Sequence, residues 1–268
     1  YFDAPEKLEA ARGHLERALA LDPDYPLALA GLSRVEAQYH RNLDPSPARL
    51  ERAEELARRA LALQPELAEA HLALAQVQGN RFEYARAAES CREAIRRDPS
   101  NAYAWDLLAW ALAYLQPPDG RGAEEAARRA ITLQASLIGA HYHLGRALLL
   151  QGRYAEAIEA FGQAKSLDAS FETADFGLAQ AYLAQGDVAG AARALAGVRK
   201  TAGAPVVRAL TATVQAASGD VDNALTSLGQ ALDAGYRDAA ALRANPHLQR
   251  LRADPRYAAL LRRFGIEP

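Results

Sequence analysis

Residues Ile138–Phe171 read IGAHYHLGRALLLQGRYAEAIEAFGQAKSLDASF. The apolar residues fall in two blocks with helical spacing. Leu144, Ala147 and Leu148 line the first, where Gly145 leaves room for a second backbone. Ala157, Phe161 and Ala164, four and three apart, line the second. Gln151-Gly152-Arg153 forms the hinge between them. Small residues at fixed places beside a few bulky ones predict two amphipathic helices packed as a hairpin. Neither helix buries its stripe alone, so such a unit must stack on copies of itself.

The copies are present. With Ala157 as the marker, the same frame recurs at Ala11, Ala53, Ala87, Ala123, Ala191 and Ala224, in steps of 42, 34, 36, 34, 34 and 33 residues. Most units end in a proline or its equivalent: Asp22-Pro23, Gln64-Pro65, Asp98-Pro99, then Gln134-Ala135 and Asp168-Ala169. Proline there stops one helix and sets the entry to the next. This pattern resembles the tetratricopeptide repeat (TPR) family, whose period of about 34 residues carries W-x2-L-G-x2-Y…A-x3-F…P. Trp105 holds the tryptophan place of its repeat and Tyr182 the tyrosine place of another. Repeat 138–171 departs from the motif at His141, Leu148 and Ala169. The resemblance implies an all-α fold, a right-handed α-α superhelix (TPR solenoid) of about thirteen repeat helices with a C-terminal capping helix. Residues 1–234 form the expected array, a half repeat plus six hairpins, and 235–268 the helical cap.

Composition narrows the function. The net charge of −2 argues against direct nucleic-acid binding, which normally shows as a basic stripe. No apolar run is long enough to span a membrane, and no signal peptide is seen, so a cytoplasmic location is favoured, with an extracytoplasmic one open behind an upstream anchor. The lone Cys91 rules out an internal disulfide framework. It stands where Phe161 stands in the central repeat, which reads as a small packing residue rather than a reactive thiol. The chain has no methionine and opens on a second helix, Tyr1 to Asp24, which suggests a fragment. Only Lys7, Lys165 and Lys200 are lysines against many arginines, which suggests a GC-rich bacterial genome.

Along the chain, Pro26 opens a first helix, and His40–Pro47, with two prolines, reads as an inserted turn. Glu51, Glu54 and Glu55 against Arg52, Arg58 and Arg59 read as a solvated face. Later turns fall at Gly79-Asn80-Arg81, at Gln116–Gly120, at Gln185-Gly186-Asp187 with its repeat ending near Lys200, and at Ser218-Gly219-Asp220. Thr211 and Gln215 make the hairpin 206–234 the weakest match. Asp238–Arg243 reads as a short helix stopped by Asn245-Pro246. Asp254-Pro255 starts a terminal helix ended by Gly265, placing Tyr257, Leu260, Leu261 and Phe264 on the last hairpin.

Catalysis finds no support within these residues: no phosphate loop, nucleophile elbow, zinc-protease or dinucleotide fingerprint occurs. No cofactor or metal is expected. His141 and His143, two apart on one helix, face different ways, and His71 and His141 in the tryptophan place read as packing residues rather than ligands. The acids read as outward residues beside arginines. Binding of a protein or peptide remains. In TPR proteins the first helices line the concave face, which by resemblance assigns Arg34, Gln76, Tyr103, Asp106, Trp110, Tyr114, Tyr142, Arg146, Phe176 and Gln180 to a recognition surface rich in rings and fixed donors. The alternative for the rings is simple packing between adjacent first helices. A chaperone-tail clamp is disfavoured, since Ala30, Leu72, Asp106, Tyr142 and Phe176 occupy the place of its lysine.

The tail Leu242–Ile266 is similar to the C-termini of bacterial signalling proteins whose TPR arrays follow a serine/threonine kinase, a nucleotide cyclase or a winged-helix domain. That likeness implies a recruiting or sensing scaffold within a larger protein. Its alternative is a non-catalytic region of a regulator, kinase or cyclase that acts on its own catalytic domain.

Overall fold

The computed structural model describes residues 5–199 and 201–267, and among them every regular element is helical. The expected start at Tyr1 and the repeat end at Lys200 lie outside the described residues. The chain forms two compact units, Tyr1–Gln151 and Gly152–Pro268.

The first unit holds α1 (Pro5–Leu21), α2 (Pro26–Asn42), α3 (Pro47–Leu63), α4 (Ala68–Asn80), α5 (Tyr84–Arg97), α6 (Ala102–Ala113), α7 (Gly120–Leu133) and α8 (Ile138–Leu150). Pro26 and Pro47 sit in the first turns of α2 and α3, where a missing N–H costs nothing. The Asn101 and Asp119 side chains accept from the amides of Ala104 and Gly122, satisfying free donors at the starts of α6 and α7. The alanine frame is the seam. Ala53, Ala57 and Ala60 on α3, and Ala123, Ala127 and Ala130 on α7, have no exposed surface. Backbones therefore approach closely, and one added methylene group there would overpack by about 1–3 kcal/mol.

The second unit holds α9 (Tyr154–Leu167), α10 (Glu172–Gln185), α11 (Val188–Leu195), α12 (Pro205–Ser218) and α13 (Val221–Asp233). The same seam runs through Ala157, Phe161 and Ala164 and through Ala224, Leu228 and Ala231. Short elements follow: α14 (Ala239–Ala244), a 3-10 turn (Pro246–Leu248), α15 (Gln249–Arg252) and α16 (Pro255–Arg263). Buried Tyr257 and Leu261 of α16 share a core with Leu228 and Leu232 of α13, with Leu260 and Phe264 at its edge. The Tyr257 hydroxyl donates to the Leu242 carbonyl at 3.0 Å. The 3-10 turn and α15, absent from the sequence reading, bury Leu248 and Leu251 in that core. No helix of the described residues is long and apolar enough to cross a membrane.

Three local expectations are corrected. The insertion His40–Pro47 shrinks to Leu43–Ser46, because α2 runs on to Asn42. No proline constrains His40–Asn42; Pro45 disfavours helix only at Asp44. The turn expected at Gly79-Asn80-Arg81 falls later. Gly79 lies inside α4, where a Cβ would overlap the Trp110 indole, and Arg81–Glu83 make the turn. The acids are not all outward, since Glu36, Asp106 and Asp175 are buried. Glu36 is held by Arg49 at 2.8 Å, with Arg52 and Arg12 at 3.7 and 3.9 Å; Asp175 takes Lys165 at 2.5 Å. Glu54, placed on a solvated face, joins Arg58 and reaches Arg81 beyond α4.

Candidate functional site

In the first unit, Arg34, Gln38 and Arg41 lie four and three residues apart, on one face of α2. Tyr103, Asp106, Leu107 and Trp110 present the matching face of α6. With Leu137, the residue that precedes α8, and His143 on that helix, they enclose a cleft of about 150 Å³. The Arg34 guanidinium lies over the Tyr103 ring, 4.5 Å from its centroid. This stack spans α4, which packs against both α2 and α6. Gln76, in the same register row of α4, is 1% exposed, and neither amide atom has a hydrogen-bond partner. Gln76 thus does not present itself to a ligand, contrary to the sequence expectation.

The cleft floor is charged. His143 Nδ1 donates to Asp106 Oδ1 at 2.6 Å, with 7% and 1% of the two residues exposed. Asp106 therefore has an internal partner rather than an open carboxylate. Cys91, one helix back, is buried as expected. Burial and then the nearby Asp106 charge push its thiol well above the usual range, so it stays protonated and inert.

The other expected residues divide. Trp110 does both jobs left open by the sequence: its indole seats on Gly79 and edge-on to Tyr84, and it also lines the cleft. Arg146 stacks on Tyr114, 4.3 Å from the ring centroid, and is not among the cleft residues. Tyr142 is buried, edge-on to His143; burial first and Tyr114 second raise its phenol. Phe176 and Gln180 belong to the second unit, where they line a cleft with Val206 and Leu210 of α12 and Tyr236. Gln38 and Arg41 were missed, although their spacing from Arg34 on one helix was visible.

His71 and His141, read as packing residues, do something more specific. Their Nε2 atoms donate to the carbonyls of Pro65 and Ala135 at 2.9 and 2.8 Å, and Trp105 Nε1 does the same to Pro99 at 3.0 Å. Each ring spans six residues to latch the turn entering its own repeat.

A seam of alanines in paired helices, repeated with an inner row of rings and guanidiniums, defines a helical-repeat scaffold. The chain belongs to the tetratricopeptide repeat family: one family model, described as a tetratricopeptide repeat, matches residues 48–102 and 108–170, and a second matches 148–214. No curated protein matches the chain. Among solved structures, it is similar to PilW, described as a widely conserved type IV pilus biogenesis factor, at 18% identity and TM-score 0.62, covering 84% of this chain and 97% of that one. A tetratricopeptide repeat protein from Parabacteroides merdae gives 18%, 0.60, 87% and 89%. A chain of the APC/C hetero-tetramer Cut9–Hcn1 gives 16% and 0.73, covering 98% of this chain and 46% of that one. At these identities the likeness is one of fold, an all-helical TPR solenoid.

Proposed function

We propose that the chain is a protein- or peptide-binding scaffold and that the α2–α6 cleft holds part of its partner. The observation that carries this is the cleft itself, where donors of Arg34, Gln38 and Arg41 face the rings of Tyr103 and Trp110. Rings and arginines at the centre of a contact contribute most of its energy. The partly exposed Arg34 side chain lines the cleft, where its guanidinium is placed to meet a partner's carboxylate or carbonyl. Binding rather than chemistry fits the floor, where the dyad is internally paired and the neighbouring thiol is protonated. The wider role is recruitment or sensing within a larger bacterial signalling protein, supported by the resemblance of the tail.

The test is a selection of displayed random peptides on the whole chain, followed by affinity measurements on the best ligand. Arg34→Ala and Tyr103→Ala should each weaken it by about 1–3 kcal/mol, with helix content unchanged. Exposed Arg129→Ala on α7 should bind normally. Equal affinities for all three variants would place binding elsewhere.

A further inference from the structure

Gln76 is out of keeping with its place in the middle of α4. It is buried, yet neither Oε1 nor Nε2 of its carboxamide has a hydrogen-bond partner. Burying an amide without partners is unfavourable, and protein interiors satisfy nearly all such groups. Packing alone would be met more stably by an apolar side chain, as Leu72 meets it one turn earlier. Two orphaned atoms on one buried side chain point to a contact made with something outside the resting chain.

The cover over Gln76 is slender. Helix α4 packs against both α2 and α6. Gln76 stands one repeat step from Arg34 and one from Trp110, 42 and 34 residues, so the three share a row. The Arg34 side chain crosses α4 to lie over the Tyr103 ring, 4.5 Å from its centroid. Trp110 closes the row on the other side, seated on Gly79, three residues beyond Gln76 on the same face of α4. Arg34 and Tyr103 are both partly exposed, and Arg34 has no ion pair among the described residues. One cation–π contact thus holds the cover in place, and partly exposed side chains rotate rapidly.

We propose that the Arg34–Tyr103 stack is a displaceable cover, and that the extended main chain of a partner protein moves it aside and pairs with Gln76. The partner's N–H donates to Oε1 and its C=O accepts from Nε2, which satisfies both orphans at once. An anion would satisfy only Nε2, and a cation only Oε1. Gln38 lines the same cleft, and its carboxamide has no hydrogen bond among the described residues. Two carboxamides suit an extended chain, which repeats its N–H and C=O at every residue. A purine edge also offers a donor beside an acceptor, but it engages one amide and brings phosphates to a chain of net charge −2. The displaced guanidinium stays in the cleft to meet a carboxylate or carbonyl, and the freed ring packs under the peptide. The proposal rests on the reading of the α2–α6 cleft as a peptide site.

The probe is the best peptide selected by display on the whole chain, synthesised together with its singly N-methylated forms, each lacking one main-chain N–H. Gln76→Met keeps the unbranched shape and removes the orphaned amide, so its Tm should stay level or rise. It should bind the peptide about tenfold more weakly, the scale of one or two hydrogen bonds. One N-methylated form should bind the unaltered chain about tenfold more weakly than the parent peptide does, yet bind Gln76→Met as the parent does. A lowered Tm in Gln76→Met would show that the amide has internal partners, and would overturn the proposal. Displacement of the peptide by adenosine monophosphate, or an N-methyl profile identical in the two chains, would do the same. Binding weakened by Arg34→Ala and Tyr103→Ala but not by Gln76→Met sinks this proposal and spares the cleft reading. Binding that all three variants leave intact, or a selection that yields no peptide, sinks both.

Discussion

Removing both partners of the buried Asp106–His143 pair should destabilise the first unit by less than the sum of the two single removals. In Asp106→Ala no bulk is added to the packed site, but His143 Nδ1 loses the acceptor it meets at 2.6 Å. Only 7% of His143 is exposed, so water replaces that acceptor poorly. An orphaned buried donor costs about 1–3 kcal/mol. In His143→Leu the carboxylate, 1% exposed, is stranded instead, and an uncompensated buried charge costs about 3–5 kcal/mol. The double variant leaves neither orphan and should fall short of the summed single losses by about 0.5–3 kcal/mol. Urea unfolding of the four proteins gives the cycle. Hydrogen exchange should show the single variants opening first at α6 and α8, because repeats exchange stability mainly with their neighbours. Additive single effects would refute the reasoning, since the pair would then contribute nothing as a pair.

Gly79→Ala places a methyl group where the Trp110 indole lies, and overpacking of this kind should cost about 1–3 kcal/mol. Tryptophan emission in a Trp105→Phe background should shift as the ring is pushed out. Deleting everything after Ala253 removes buried Tyr257 and Leu261 from their shared core, so stability should fall by a few kcal/mol in line with the lost apolar burial. The truncated protein should also bind an apolar dye. Burial raises the Tyr142 phenol above its ordinary value of 10.0. Its stabilising contribution should be complete below about pH 10 and lost as pH rises through the raised folded value, because the unfolded chain releases that proton first. Thermal melts from pH 8 to pH 11, compared with Tyr142→Phe, read this directly.

The seam was legible in sequence because alanine does one job at one spacing. Ala53, Ala87 and Ala123 recur where two backbones meet, and each proves almost wholly buried. The site was only half legible. Register placed Arg34, Tyr103 and Trp110 on a common row, but not the reach of Arg34 across α4, which depends on how far three helices curve together. Gln76 shares that row and is covered. Asp106 looked like a residue of the recognition surface and Glu36 like an ordinary acid because their partners stand 37 and 13 residues away, with nothing local to announce them.

The latches made by His71, Trp105 and His141 bear on how the repeat motif is best described. Indole and imidazole differ in volume, aromatic character and response to acid, so a matrix of residue similarity scores the histidines as failures at the tryptophan place. What the two rings share is an N–H projected to the same carbonyl six residues earlier. Phenylalanine matches tryptophan in bulk and aromaticity but brings no such proton. A profile written as donor positions would accept both histidines and reject phenylalanine, whereas one written as sizes does the reverse.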